Sequence, residues 1–223
     1  MIRDNLLWVR DRIAQACTRA NRSPDQVTLI AVTKEMDVDK IREARAAGVK
    51  VVGENRVQEA LRKVPVLPDL EWHMIGHLQS NKAKKAVEIF KMIQSVDSFS
   101  LAQEIDHRAA QPIPVLVEVN TSGEASKFGV IPEQAALLVE QILKLEKLNL
   151  QGLMTIGPGW AIEDSEASRQ SFKLLFSLRE TLRRQLNVAL PVLSMGMSSD
   201  FEVGIEEGST MVRIGTLVFG PRV

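Results

Sequence analysis

Short apolar runs alternate with amphipathic stretches along almost the whole 223-residue chain, and no other feature restricts its fold so tightly. The runs Val27–Val32, Lys50–Val52, Trp72–Ile75, Met92–Ser95, Pro114–Val119, Leu150–Met154, Pro191–Ser194 and Met211–Ile214 read as strands. Helices are predicted between them over Val38–Ala47, Glu54–Lys63, Ser80–Glu88, Ser100–Ala109, Glu133–Leu145, Ser165–Leu186 and Asp200–Glu207, with Gly48 as a C-terminal stop for the first. A short turn near Leu217–Phe219 follows the last strand. An extra helix, Arg3–Ala20, precedes the first unit and is broken at Ser23-Pro24. Strand–helix alternation implies a parallel sheet. Eight units point to a closed (β/α)8 TIM barrel with an extra N-terminal helix, and an open doubly wound sheet, which normally uses fewer strands, is the alternative. No linker or low-complexity tract divides the chain, so residues 1–223 are expected to form a single α/β domain.

Composition removes several functional classes. Lys plus Arg and Asp plus Glu are both 28, so nothing in the total charge suggests a nucleic acid or an anionic membrane as partner. A small anion stays possible, because a few local cations and backbone amides suffice to hold one. The one cysteine, Cys17, lies on the apolar face of the first helix and reads as a core residue; neither an internal disulfide nor a Cys-rich zinc site can form. No apolar window reaches a membrane-spanning length, and the opening Met-Ile-Arg-Asp-Asn lacks the pattern of a signal peptide, so a cytoplasmic location is expected.

In a barrel the working face is made by the loops after the strands' C-terminal ends. Those ends here are rich in Gly, Ser, Thr and Asn: Gly53-Glu54-Asn55-Arg56, Asn120-Thr121-Ser122-Gly123, Met195-Gly196-Met197-Ser198-Ser199-Asp200 and Gly215-Thr216. The loops after strands seven and eight are the usual phosphate site of this fold. Ser198, Ser199, Gly215 and Thr216 are therefore candidates to bind a phosphate together, although Ser-Ser-Asp before a helix also serves as a plain cap. Lys34 closes the first apolar run. With its stem in apolar surroundings its neutral amine becomes available as a nucleophile, or the stem simply reaches out to solvent. Arg213 lies inside the last strand and needs a partner, either an internal carboxylate or a ligand's anion or ring nitrogen.

Several segments then resemble one family. Ala31-Val32-Thr33-Lys34, Val52-Gly53-Glu54-Asn55-Arg56-Val57-Gln58-Glu59, Trp72-His73-Met74-Ile75-Gly76-His77-Leu78-Gln79-Ser80-Asn81-Lys82, Leu193-Ser194-Met195-Gly196-Met197-Ser198-Ser199-Asp200 and Met211-Val212-Arg213-Ile214-Gly215-Thr216 resemble the pyridoxal phosphate homeostasis proteins, the YggS/PROSC-like family. So do Val119-Asn120-Thr121-Ser122-Gly123-Glu124 and Gly152-Leu153-Met154-Thr155-Ile156. The resemblance implies a barrel like the N-terminal domain of alanine racemase, fold type III of the pyridoxal phosphate enzymes. It implies pyridoxal 5′-phosphate as cofactor, bound as a Schiff base at Lys34. Ser198, Ser199, Gly215 and Thr216 match its phosphate-binding positions, and Met197 beside them is expected to bind the cofactor. Arg213 matches an arginine near the cofactor, at its ring nitrogen or its phosphate, and Asn55 a residue on its other side. Glu35-Met36 departs slightly from the commoner residues after the lysine.

The resemblance leaves a carrier and an enzyme to be separated. A racemase needs a base on each face of the substrate carbon; in alanine racemase-like enzymes the second is a tyrosine, and this chain has none. An arginine at the ring nitrogen would also weaken the cofactor as an electron sink. The expected role is a carrier or regulator of pyridoxal phosphate and amino-acid homeostasis, monomeric, with apoenzymes that accept the cofactor as partners. The alternative is a racemase or aldolase whose missing base is His77, His73 or a bound metal. His73, within a strand, reads as a satisfied core residue, His107 as a solvated helix residue, and His77 stands on the working face.

Overall fold

The apolar runs do form strands, and the strands close on themselves. In the computed structural model, which describes residues 1–221, β1 (Thr28–Val32), β2 (Val51–Glu54), β3 (Glu71–Met74), β4 (Met92–Val96), β5 (Ile113–Glu118), β6 (Leu148–Met154), β7 (Val192–Met197) and β8 (Met211–Ile214) pair in chain order as a closed barrel. All pairings are parallel, and β8 closes the barrel on β1 with Ile30 opposite Arg213. Around it lie α2 (Val38–Ala46), α3 (Val57–Lys63), α4 (Ala83–Ile89), α5 (Phe99–Arg108), α6 (Pro132–Ile142), α7 (Arg169–Leu186), α8 (Phe201–Glu206) and α9 (Thr216–Phe219). The extra helix α1 (Ile2–Arg19) buries Leu6, Val9, Ile13 and Cys17 and packs on α8 and α9. Arg12 and Arg19 of α1 pair with Glu202 and Glu206 of α8.

Strand side chains alternate between two faces, and the two faces build two cores. Ala31, Val52, Trp72, Ile93, Val115, Leu153, Leu193 and Val212 point outward and pack under the helices. Met92, Leu116 and Met154 form a separate cluster inside the barrel, with Val192 and Met211 against it. Two residues further along the same strands come Gln94, Glu118, Ser194 and Arg213, which therefore face the interior above that plug. The apolar plug fills much of the lower barrel, and Gln94, Glu118, Ser194 and Arg213 lie towards the strands' C-terminal ends.

Glu54 is the clearest correction to the sequence reading. It ends β2 instead of opening a helix, and α3 begins only at Val57. A charged residue is tolerated at this fully buried position because it meets a buried lysine, Lys63, at 2.6 Å. Ser80–Lys82 and Ser165–Ser168 form 3-10 turns ahead of α4 and α7. Strand β7 continues past Ser194 to Met197, and Gly48, at φ +89°, ends α2 as expected. Phe172, Leu175 and Leu182 of α7 are buried, but Phe176 is not: it lies on the helix flank under the Arg179 guanidinium, 4.9 Å from its ring centre.

At the β5–β6 pairing the register slips by one residue, so that Leu116 faces Gly152 and Gln151 is extra. A Cβ on Gly152 would stand 1.8 Å from the Val192 carbonyl oxygen of β7. Gly152→Ala is expected to lower unfolding stability by about 3 kcal/mol, because the β6–β7 seam must separate to admit the methyl group. Urea unfolding followed by circular dichroism measures this, and an unchanged midpoint would show that the seam has slack.

Candidate functional site

The C-terminal ends of β1, β2, β7 and β8 surround a cavity of about 550 Å³. Val32, Ile75, Ile156 and Leu217 give it apolar walls. All eight residues picked out from the sequence also line it: Lys34, Asn55, Met197, Ser198, Ser199, Arg213, Gly215 and Thr216. Residues from opposite ends of the chain meet here because β8 lies beside β1; Gly215 packs against Val32, the residue before Thr33-Lys34.

Lys34 stands at the first corner of a tight turn in which the Met36 amide donates to the Thr33 carbonyl. Its side chain is 28% exposed, with Nζ 3.9 Å from Glu35 Oε1, so an amine is within reach of whatever fills the cavity. Across from it, the Gly215 amide donates to Ser198 Oγ at 3.3 Å, which ties the two serine- and threonine-bearing loops into one wall. Asp200 occupies the N-cap position of α8, but its carboxylate makes no capping bond to the helix. One of its carboxylate oxygens accepts from the Met197 amide at 2.7 Å and the other from the Ser168 hydroxyl at 2.6 Å. The plain-cap reading of Ser-Ser-Asp thus misses what the aspartate does: it shapes the loop.

Arg213 is buried, and it forms no ion pair within 4 Å among the described residues. Its Nη1 donates to Ser194 Oγ at 2.6 Å and its Nη2 to the Thr155 carbonyl at 2.7 Å. Burial pulls its pKa down to about 10, against the nearby charges of Asp200 and Glu118, so it is a cation at neutral pH. The internal ion pair considered from the sequence is replaced by neutral acceptors that leave further N–H groups for the cavity. Those acceptors are themselves fixed. Ser194 Oγ donates to Gln94 Oε1 at 2.7 Å, Gln94 Nε2 donates to His73 Nδ1 at 2.9 Å, and His73 Nε2 donates to Glu71 Oε1 at 2.8 Å. With Nδ1 as acceptor, the hydrogen-bond network assigns the His73 proton to Nε2. A continuous chain of hydrogen bonds therefore supports Arg213 through the barrel, and His73 is the satisfied core residue expected.

His77 lies on the working face, its ring stacked on Phe128 at 3.9 Å and its Nδ1 3.1 Å from Asp97 Oδ2. It borders a smaller hollow with Arg56 and Lys82 beside the cavity that holds Lys34. His107 is exposed on α5.

Sequence reasoning missed Glu118. It is 3% exposed at the end of β5, and its Oε2 has no hydrogen-bond partner among the described residues. The signal was present: Glu118 lies inside the apolar run Pro114–Val119, as Arg213 lies inside the last one. Gln94 and Ser194 carry no comparable signal, since neutral polar residues in a strand reveal nothing until the barrel pairs them.

Burial, reinforced by the negative charge of Asp97 and opposed by Arg213, raises the Glu118 carboxyl to about 7. Folded protein therefore holds a proton that unfolded chain gives up near 4.5, so stability falls as pH rises through this window. A shift of this size corresponds to about 3 kcal/mol. Glu118→Gln removes the titration. Its stability relative to the parent is expected to improve by about 2–3 kcal/mol between roughly pH 5 and 8. Urea unfolding at both values tests this; an equal difference at both would mean that Glu118 is ionised throughout.

Residues 5–223 match the family model for the alanine racemase N-terminal domain. A pyridoxal phosphate homeostasis protein of Aquifex aeolicus is 48% identical over 224 residues, covering 98% of this chain and 97% of that protein. The human protein of the same name is 40% identical over 232 residues, covering 96% of this chain and 84% of its own. The solved structure of PipY from Synechococcus elongatus with pyridoxal phosphate bound superposes with a TM-score of 0.85 at 36% identity, covering 99% of this chain and 100% of that one. An alanine racemase of Clostridium difficile shares the fold, with a TM-score of 0.80 at 17% identity, covering 98% of this chain and 57% of the racemase. The barrel is that of the racemase domain, but the likeness in sequence runs end to end with a narrower group, and the chain belongs to the pyridoxal phosphate homeostasis protein family.

Proposed function

We propose that this protein holds pyridoxal 5′-phosphate as a Schiff base at Lys34 and acts as a carrier or regulator of the cofactor, without robust catalysis. The observation that carries the reading is the meeting in one cavity of the Lys34 amine, Arg213 and the paired loops of Ser198-Ser199 and Gly215-Thr216. The donor set suits the cofactor. An amine is the partner of an aldehyde, hydroxyls and loop amides suit a phosphate, and apolar walls with a guanidinium suit a pyridine ring. PipY, 36% identical, has this cofactor bound.

When bound, the cofactor supplies an electron sink for amino-acid chemistry; the surrounding residues decide whether it is used. Arg213 offers only donors and stays charged at neutral pH, so it supplies no proton acceptor to the ring and disfavours a protonated ring nitrogen. The second base that racemisation needs finds no support in His77, which is committed to Asp97 and Phe128 beside a different hollow. An apoenzyme that needs pyridoxal phosphate is the natural recipient of what the carrier holds.

The visible absorption spectrum tests the reading. The protein loaded with pyridoxal phosphate is expected to show a near-visible imine band that Lys34→Ala abolishes. Ser199→Ala and Thr216→Ala should keep the band but each weaken binding by about 2 kcal/mol, roughly 30-fold in Kd, if each hydroxyl donates to the phosphate. Absence of a band in the parent would remove Lys34 from the role. Amino-acid turnover by the metal-supplemented protein would favour the enzyme.

A further inference from the structure

Behind the cavity, on the outward side of β1 and β2, lies a second cluster of ionisable groups that the reading above does not use. Lys63 of α3 is buried, with only 9% of its side chain exposed. Its Nζ donates to Glu54 Oε1 at 2.6 Å, to Glu59 Oε2 at 3.4 Å and to the main-chain carbonyl of Thr33 at 2.8 Å. Glu54 Oε1 also accepts from the Thr33 hydroxyl at 2.8 Å. Glu59 Oε2 accepts from the main-chain amide of Glu35 at 2.9 Å. Three side chains thus hold the backbone immediately before and immediately after Lys34.

The segment they hold is strained. Glu35 has φ +61°, in the left-handed region that a residue with a side chain seldom adopts, at the turn position where glycine or asparagine is preferred. Such a conformation persists where surrounding contacts over-determine it. Burial raises the Glu54 carboxyl against the pull of Lys63. Burial acts the same way on Glu59, but the Glu35 amide and Lys63 hold it below the usual carboxylate range, so it is a strong acceptor at neutral pH. Stability alone does not call for this cluster, because well-packed apolar residues replace buried ion pairs at little or no cost. Apolar residues could not bond to the Thr33 carbonyl and the Glu35 amide.

We propose that Lys63 and Glu59, with Glu54 beneath them, are positioning residues for the Lys34 amine, gripping the backbone on either side of it and fixing the turn that directs it into the cavity. The proposal rests on the cofactor reading at Lys34. Misplacing a reactive group by about an ångström costs on the order of a hundredfold in rate, and release of one of two grips should cost less.

The test compares the parent with Glu59→Ala and Glu59→Gln, the latter keeping an acceptor oxygen for the Glu35 amide. Glu59 is partly exposed, so both variants are expected to fold; Lys63→Met, which strands Glu54, is a harsher companion. The first readout, on protein without cofactor, is hydrogen exchange of the Glu35 amide. It should accelerate on the order of tenfold in Glu59→Ala and stay near the parent in Glu59→Gln. The second, on loaded protein, is the decay of the imine band in excess hydroxylamine together with the pH midpoint of that band. Decay should quicken on the order of tenfold and the midpoint should move in Glu59→Ala, with Glu59→Gln restoring both. Unchanged exchange overturns the grip itself, whatever happens at Lys34. Faster exchange with an unaltered band overturns the positioning role and leaves a structural tie. A parent without a band fails the reading at Lys34, and the positioning role falls with it even if the exchange results hold.

Discussion

Pairing of the first strand with the last is the constraint on which the rest of this molecule depends. Closing β8 onto β1 satisfies the edges of the sheet and sets Arg213 beside Ile30 and Gly215 beside Val32. Lys34 at one end of the chain and the Ser198–Thr216 loops at the other become walls of one cavity only through that closure. A parallel barrel also sends every strand's C-terminal end to the same face, so the polar groups that end the strands collect there by geometry.

The interior is stratified in a way that explains which polar groups survive burial. Met92, Leu116 and Met154 seal the lower barrel. Above them Gln94, Ser194 and His73 form a hydrogen-bonded layer that ends on Arg213. Each member both gives and receives, which is what makes a buried polar layer tolerable. Glu118 stands in the same layer with one oxygen unsatisfied, and burial, with the charge of Asp97, raises its carboxyl. The cluster of Lys63, Glu54 and Glu59 does on the outward face what the Gln94 chain does within: it fixes a reactive or charged group through its neighbours.

Legibility from the sequence followed the range of the physics involved. Eight apolar runs announce a barrel because backbone geometry makes strand burial a local property of residue type. Lys34 and Arg213 stood out because ionisable residues inside or at the end of such runs are locally anomalous. The same rule covers Glu118, inside the run Pro114–Val119, but Glu54 follows a glycine and precedes an amphipathic stretch, so it reads as the start of a helix until its burial is known. Lys63 ends a helix that buries Val57 and Ala60, and a lysine at a helix end gives no sign in the sequence that it reaches Thr33.

The sequence by itself therefore determined the order of elements, their parallel strand–helix alternation and the polar residues that end the strands, all consequences of local patterning repeated eight times. Only the tertiary structure decided what holds those residues. It set Arg213 on Ser194 and the Thr155 carbonyl in place of a carboxylate. It turned Asp200 back to the Met197 amide. It drew Lys63 and Glu59 onto the two sides of Lys34. The reason is that hydrogen-bond partners of buried groups are chosen by which surfaces meet, and those meetings depend on strand register and helix placement across the whole barrel.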